Sequence, residues 1–136
     1  MYGGFTYNVG MKSGARAFGT PEYMKAVVAG GQLARRYKLP YRTSNTCAAN
    51  VVDAQGAYYS VVSLWALTMG GGNYIMHGAG WMEGGLVASY EKFILDVDLI
   101  QMVSEFLQPI EMSDDALGVD AIREVGPGGH FFGAQH

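Results

Sequence analysis

Residues 73–96 read NYIMHGAGWMEGGLVASYEKFILD. A short apolar run, Tyr74-Ile75-Met76, leads into a glycine-dense loop carrying His77, Trp81 and Glu83. A helix-like pattern follows from Ser89. An apolar run, a polar and aromatic loop and then a helix is how one βα unit of a parallel α/β protein reads. In such proteins the chemistry collects in the loops after the strands. The flanking sequence repeats the arrangement, which restricts the chain to a small set of α/β folds.

Ahead of that stretch, Met1 to Thr20 is too rich in glycine for a helix, with at best a short strand near Phe5–Val9. Thr20-Pro21-Glu22 predicts a helix start, with Thr20 as N-cap, proline at the first helical position and an acid in the first turn. Met24, Val27, Val28, Leu33 and Ala34 fit one apolar face, and Arg35, Arg36 and Lys38 complement the C-terminal dipole. Gly30-Gly31 costs this helix about 1 kcal/mol per glycine against alanine, so close packing on a sheet is the expected return. Leu39–Ser44 predicts the next strand, with Pro40 at its entry. Asn45–Val52 forms its exit loop, Asp53 caps a second helix and Gly70-Gly71-Gly72 ends it. The third strand is expected over Tyr74–His77 and the third helix near Tyr90–Leu107, stopping before Pro109. Ser113-Asp114-Asp115 starts a shorter fourth helix to about Val125, broken by Gly126-Pro127-Gly128-Gly129.

Three βα units and a short fourth helix imply part of a (β/α)8 barrel or an open doubly wound sheet. No G-x-G-x-x-G directly follows a strand and no GKS or GKT occurs, which weakens the nucleotide-binding version. Three parallel strands alone leave two bare edges, which natural proteins avoid. The expectation is therefore one domain over residues 1–136 that is a segment of a longer TIM barrel, truncated at both ends.

Composition narrows the function classes. Net charge is −3, with 49% hydrophobic and 15% charged residues. No basic stripe suits nucleic acid or an anionic membrane. The longest apolar run falls far short of the roughly 20 residues of a membrane span. No signal-peptide layout opens the chain, so the cytoplasm is expected. Cys47 is the single cysteine, which excludes an internal disulfide and a cysteine zinc site. With three histidines at spacings matching no metal signature, no metal site is expected.

Four constellations are able to carry chemistry. Arg42-Thr43-Ser44-Asn45-Thr46, with Asp53 and Gln55 behind, places hydrogen-bonding groups at a strand exit; the plainer reading is an N-cap beside a solvated turn. His77, Trp81 and Glu83 form the second; a histidine at a strand end is often only a hydrogen-bonded core residue, whereas Glu83 among glycines is harder to explain structurally. The third is aromatic: Tyr58, Tyr59, Trp65, Tyr74, Trp81, Tyr90 and Phe93. Most are expected in the core, with Trp81 the best candidate for an exposed ring. Aromatic faces attract permanent cations by about 0.5–2 kcal/mol each, and a carboxylate nearby suits a methylated amine. The fourth is Glu124 to Gly133 with His136, either a tight glycine turn or a loop whose Gly128, Gly129 and His130 approach a ligand or partner. No G-x-S-x-G nucleophile motif is present, and no catalytic residue is assigned.

FGTPEYMKAVVAGGQLARRYKLPYRTSN, VVDAQGAYYS, HGAGWMEGGLVASYEKFILD and IREVGPGGHFFGAQH, in this order, resemble the trimethylamine methyltransferase family. Its members include trimethylamine–corrinoid protein Co-methyltransferases and relatives acting on quaternary amines such as glycine betaine. The similarity covers nearly the whole chain. It implies a (β/α)8 barrel of several hundred residues, of which this chain is a late-middle segment. The archaeal trimethylamine branch uses pyrrolysine, expected near Tyr41–Asn50; this chain has only standard residues there, which shifts the expected substrate toward a quaternary amine.

The resemblance also implies the partners. The expected reaction moves a methyl group from the amine to the Co(I) of a corrinoid on a cognate partner protein, with no cofactor bound by the chain itself. A homo-oligomer is compatible with this. A quaternary nitrogen already carries its charge and leaves as a neutral amine, so no acid need protonate it. The enzyme's main task is holding the cation in line. Arg42, Asn45, Gln55, His77, Trp81 and Glu83 are the expected substrate-binding residues: Trp81 against the cation, Glu83 balancing its charge and Arg42 on a substrate carboxylate. His77, Asn45 and Gln55 would orient the site. The alternatives are a non-catalytic module binding a methylated amine or the corrinoid protein, and a purely structural segment.

Overall fold

The computed structural model describes residues 2–3 and 7–134. The chain forms two compact units that divide between Phe106 and Leu107.

The first unit is mixed α/β. Strand β1 (Tyr2–Gly3) is followed by a small hairpin, β2 (Asn8–Val9) against β3 (Arg16–Ala17), and by helix α1 (Pro21–Arg36). Strand β4 (Tyr41–Ser44), helix α2 (Ala54–Met69) and strand β5 (Tyr74–Met76) come next. The sheet order is β1-β4-β5, all parallel, with Tyr2 opposite Tyr41 and Arg42 opposite Tyr74. A second hairpin, β6 (Trp81–Met82) and β7 (Val87–Ala88), brackets a 3-10 turn at Glu83–Gly85 and leads into α3 (Tyr90–Phe106). The three expected strand-loop-helix repeats are therefore present, and β1 and β5 are the sheet edges.

The caps match their sequence signals. The Thr20 hydroxyl accepts from Tyr23 N with Pro21 at the first position, and Asp53 Oδ1 accepts from Gly56 N at 3.0 Å. Ser89 Oγ accepts from Lys92 N at the start of α3. Each satisfies a backbone donor that a helix start leaves open.

The core joins Phe18, Tyr23, Val27, Leu64, Leu67 and Val103. Tyr41 crosses from β4 to α1, its hydroxyl donating to Val27 O at 2.9 Å. Gly30 faces that ring, whereas Gly31 meets α2, where an added Cβ would lie 1.8 Å from Gly70 O. The glycine pair thus serves one sheet contact and one helix–helix contact, rather than the sheet alone.

Several expectations need correction. Leu33 is exposed; Tyr23 and Ala34 fill the buried face of α1 with Val27. Of the strand expected near Phe5–Val9, Asn8–Val9 is a hairpin arm; Phe5 and Thr6 lie outside the described residues. His77 has left β5, with φ of 53°. The aromatic set is not mostly core: Tyr58, Tyr74, Tyr90 and Phe93 are exposed, and Phe18 holds the interior position. Sequence periodicity says which residues share a face, but long-range packing decides how much of that face is covered.

The second unit holds α4 (Asp114–Leu117), α5 (Val119–Val125) and a 3-10 turn at Phe131–Gly133. One helix was expected from Ser113 to Val125; Gly118 adopts the left-handed conformation (φ 59°) and splits it. Ser113 caps α4 as expected, accepting from Ala116 N. Among the described residues, no helix is long and apolar enough to cross a membrane.

Candidate functional site

Three loops leave the C-terminal ends of the three parallel strands, and together they enclose a cleft of about 460 Å³. Gly14 and Arg16 come from the β2–β3 hairpin that follows β1, Asn50 from the loop after β4, and Glu83, Gly84 and Leu86 from the loop after β5. Parallel α/β sheets place ligands at this end because every strand delivers its following loop there.

Glu83 is half-buried and has a positive φ of 50°, beside Gly84 at 65° and Gly85 at 99°. Such a run holds the carboxylate at the cleft by turning the backbone sharply. Two bonds tie it to the neighbouring loop: Glu83 N donates to Ala49 O at 3.2 Å, and Gly84 N donates to Cys47 O at 3.0 Å. Arg16 is exposed on β3, its guanidinium over the Tyr7 ring at 5.1 Å. The cleft therefore carries one anionic and one cationic side chain, with glycine backbone between them.

Trp81 backs the glycine turn. Its indole stacks on His77 with centroids 5.2 Å apart and meets Phe18 edge-on at 5.3 Å. An added Cβ on Gly85 would lie 2.6 Å from Trp81 Cζ2. Beneath the loop, Asn45 is buried. Its Nδ2 donates to Gly78 O at 2.9 Å and to Ser60 Oγ, while its Oδ1 has no partner among the described residues. Ser44 Oγ, also at the end of β4, is likewise buried without one among the described residues. Cys47 is buried nearby, and burial pushes its thiol above the ordinary value.

Of the residues singled out from sequence, Glu83 lines the cleft, with His77 and Trp81 stacked in the same loop and Asn45 supporting that loop from below. Arg42 lies on β4, where its Nε donates to Met76 Sδ. Gln55 is exposed on the first turn of α2 and donates to the Tyr59 hydroxyl at 2.8 Å. Gly128, Gly129 and His130 belong to the second unit, where His130 lies 5.4 Å from the Phe132 ring; His136 lies outside the described residues. Sequence reasoning missed Arg16 and Asn50. Asn50 sits in the exit loop that the sequence marked, so its place after a strand was a usable signal. Arg16 had none, because only the hairpin brings it across to Glu83.

The trimethylamine methyltransferase family model matches residues 1–136. A glycine betaine methyltransferase of Desulfitobacterium hafniense is 35% identical over 137 residues, covering 100% of this chain and 29% of the relative. Trimethylamine methyltransferases of Methanosarcina mazei and Methanosarcina thermophila are 33% and 31% identical, each over 96% of this chain and 26% and 27% of their own lengths. The chain thus spans little more than a quarter of the curated relatives it matches. With a family match along its entire length, the chain belongs to the trimethylamine methyltransferase family.

Proposed function

We propose that this chain is a segment of a (β/α)8 barrel methyltransferase that moves a methyl group from a quaternary amine to the Co(I) of a corrinoid carried by a partner protein. The observation that carries the reading is the cleft made by the three loops after β1, β4 and β5, with Glu83 on one wall and Arg16 on another. Glu83 balances the ammonium charge and Arg16 receives a carboxylate where the amine carries one. Trp81 and His77 hold the Glu83 loop in place. The partner's corrinoid would supply the nucleophile, and the C–N bond would break with its electron pair staying on nitrogen. No residue of the chain has to deliver a proton, and its work is orientation of the methyl group for in-line displacement. Family membership supports the methyl-transfer chemistry, and the similarity to a glycine betaine methyltransferase supports a quaternary amine.

The test is methyl transfer by the full-length protein to a reduced corrinoid carrier, followed by absorbance as Co(I) becomes methyl-Co(III), across trimethylamine, glycine betaine, carnitine and choline. Transfer is expected with a quaternary amine. Glu83→Gln keeps the shape and removes the charge, and is expected to weaken that amine's binding about tenfold, or about 1.4 kcal/mol. A folded protein that methylates cobalt with none of the four refutes the catalytic reading and leaves a binding module.

A further inference from the structure

Among the described residues, Lys92 and Asp96 are the only charged side chains that are fully buried, at 0% and 1% exposure. They stand one helical turn apart on α3 and form an ion pair. A buried pair of this kind contributes little net stability, because desolvating both charges offsets their attraction. Its hydrogen bonds point elsewhere. Asp96 Oδ2 accepts from Gly80 N at 2.9 Å, and Lys92 Nζ donates to Ser60 Oγ at 2.6 Å. Ser60 Oγ in turn lies 3.4 Å from Asn45 Nδ2, which donates to Gly78 O. Gly80 O accepts from Ser89 N at 3.0 Å. The network grips residues 78–80 from α3, from α2 through Ser60, and from the β4 exit.

Residues 78–80 sit between His77 and Trp81, which stack on each other in the Glu83 loop. Gly80 itself has φ of 82° and packs against Phe93. A loop with three consecutive positive-φ residues downstream (Glu83, Gly84 and Gly85) needs a fixed starting point, or its carboxylate loses its position. We propose that Lys92 and Asp96 are positioning residues: Asp96 pins the Gly80 amide, Lys92 orients Asp96 and Ser60, and the network sets where Trp81 and Glu83 stand in the cleft. Only the ligand-affinity part of this inference rests on the proposed function.

Two double variants in the full-length protein separate the hydrogen bond from the charges. K92M/D96N removes both charges and keeps an oxygen to accept from Gly80 N. K92M/D96L removes both charges and that acceptor. Hydrogen exchange by mass spectrometry is read over residues 77–86, with α1 as internal reference. K92M/D96L is expected to exchange about tenfold faster in this segment with α1 unchanged, while K92M/D96N stays near wild type. Glycine betaine affinity is expected to fall about tenfold in K92M/D96L and little in K92M/D96N. Equal exchange in the two variants overturns the proposal. Should K92M/D96L fail to fold, Ser60→Ala leaves the ion pair intact and cuts the link to Asn45; faster exchange over 77–80 is expected, and wild-type exchange there overturns the proposal. A wild-type protein that binds none of the quaternary amines would sink the proposed function while the exchange data still decide this one.

Discussion

Gly31→Ala should destabilise the protein although helix propensity alone predicts the opposite. Alanine is favoured over glycine inside a helix by about 1 kcal/mol. Gly31 lies mid-helix in α1, but its Cβ would sit 1.8 Å from Gly70 O and 2.8 Å from Gly70 C. Ordinary contact begins at 3.4 Å, so the α2 end has to retreat by about 1.6 Å. Both obstructing atoms are backbone, so no rotamer change relieves the clash. Overpacking of this kind costs typically about 1–3 kcal/mol. Gly70 O also accepts from Arg35 Nη1 at 2.6 Å, and breaking that bond adds about 1 kcal/mol. With the propensity gain subtracted, the net loss is about 2 kcal/mol. Urea denaturation reads this as a midpoint lower by about 1 M for a slope near 2 kcal/mol/M. Ala29→Gly, at an exposed position of the same helix, is the propensity control and should lose about 1 kcal/mol. A Gly31→Ala protein as stable as wild type would refute the close-approach argument.

Gly85→Ala places a side chain at φ of 99° and against Trp81; backbone strain of about 1–3 kcal/mol is expected, with a lower melting temperature and weaker amine binding together. A variant unchanged in both, by thermal melt and calorimetric titration, would separate the glycine turn from the cleft. Alkaline stability follows from two buried groups. Burial raises the Cys47 thiol and the Tyr23 phenol above their ordinary values of 9.0 and 10.0. Above those values the unfolded chain gives up protons that the folded chain keeps. The stability tied to the neutral groups is therefore full below about pH 9 and is lost as pH rises through the raised values. Urea midpoints between pH 7.5 and 10.5 should fall, and less steeply in Cys47→Ala; equal slopes would remove Cys47 from the account.

Much of the local structure was legible because its causes are local. Thr20 with Pro21, Asp53 and Ser113 marked three helix starts, since an N-cap satisfies donors within its own turn. The βα rhythm was legible because an apolar run, a glycine loop and a helix each have short-range signatures. Glu83 stood out for the same reason, as a carboxylate among glycines with no helix or strand to explain it. The split at Gly118 was less readable, because a glycine inside a helical pattern is compatible with either continuation or a left-handed stop.

What the sequence determined by itself is the alternation of strands and helices, their caps, and the glycine-dense loop in which His77, Trp81 and Glu83 stand. Tertiary structure decided which of those residues meet. Arg16 faces the same cleft as Glu83 because a hairpin folds it across, and Gln55 points away because helix phase turns it outward. Lys92 and Asp96, four residues apart on α3, are buried as a pair only because α3 packs on α2 and closes them over Ser60. The physical reason is range. Caps and turns are settled within a few bonds of the residues that make them, whereas burial, charge pairing and cleft geometry depend on groups dozens of residues apart, whose meeting is fixed only when the helices close onto the sheet.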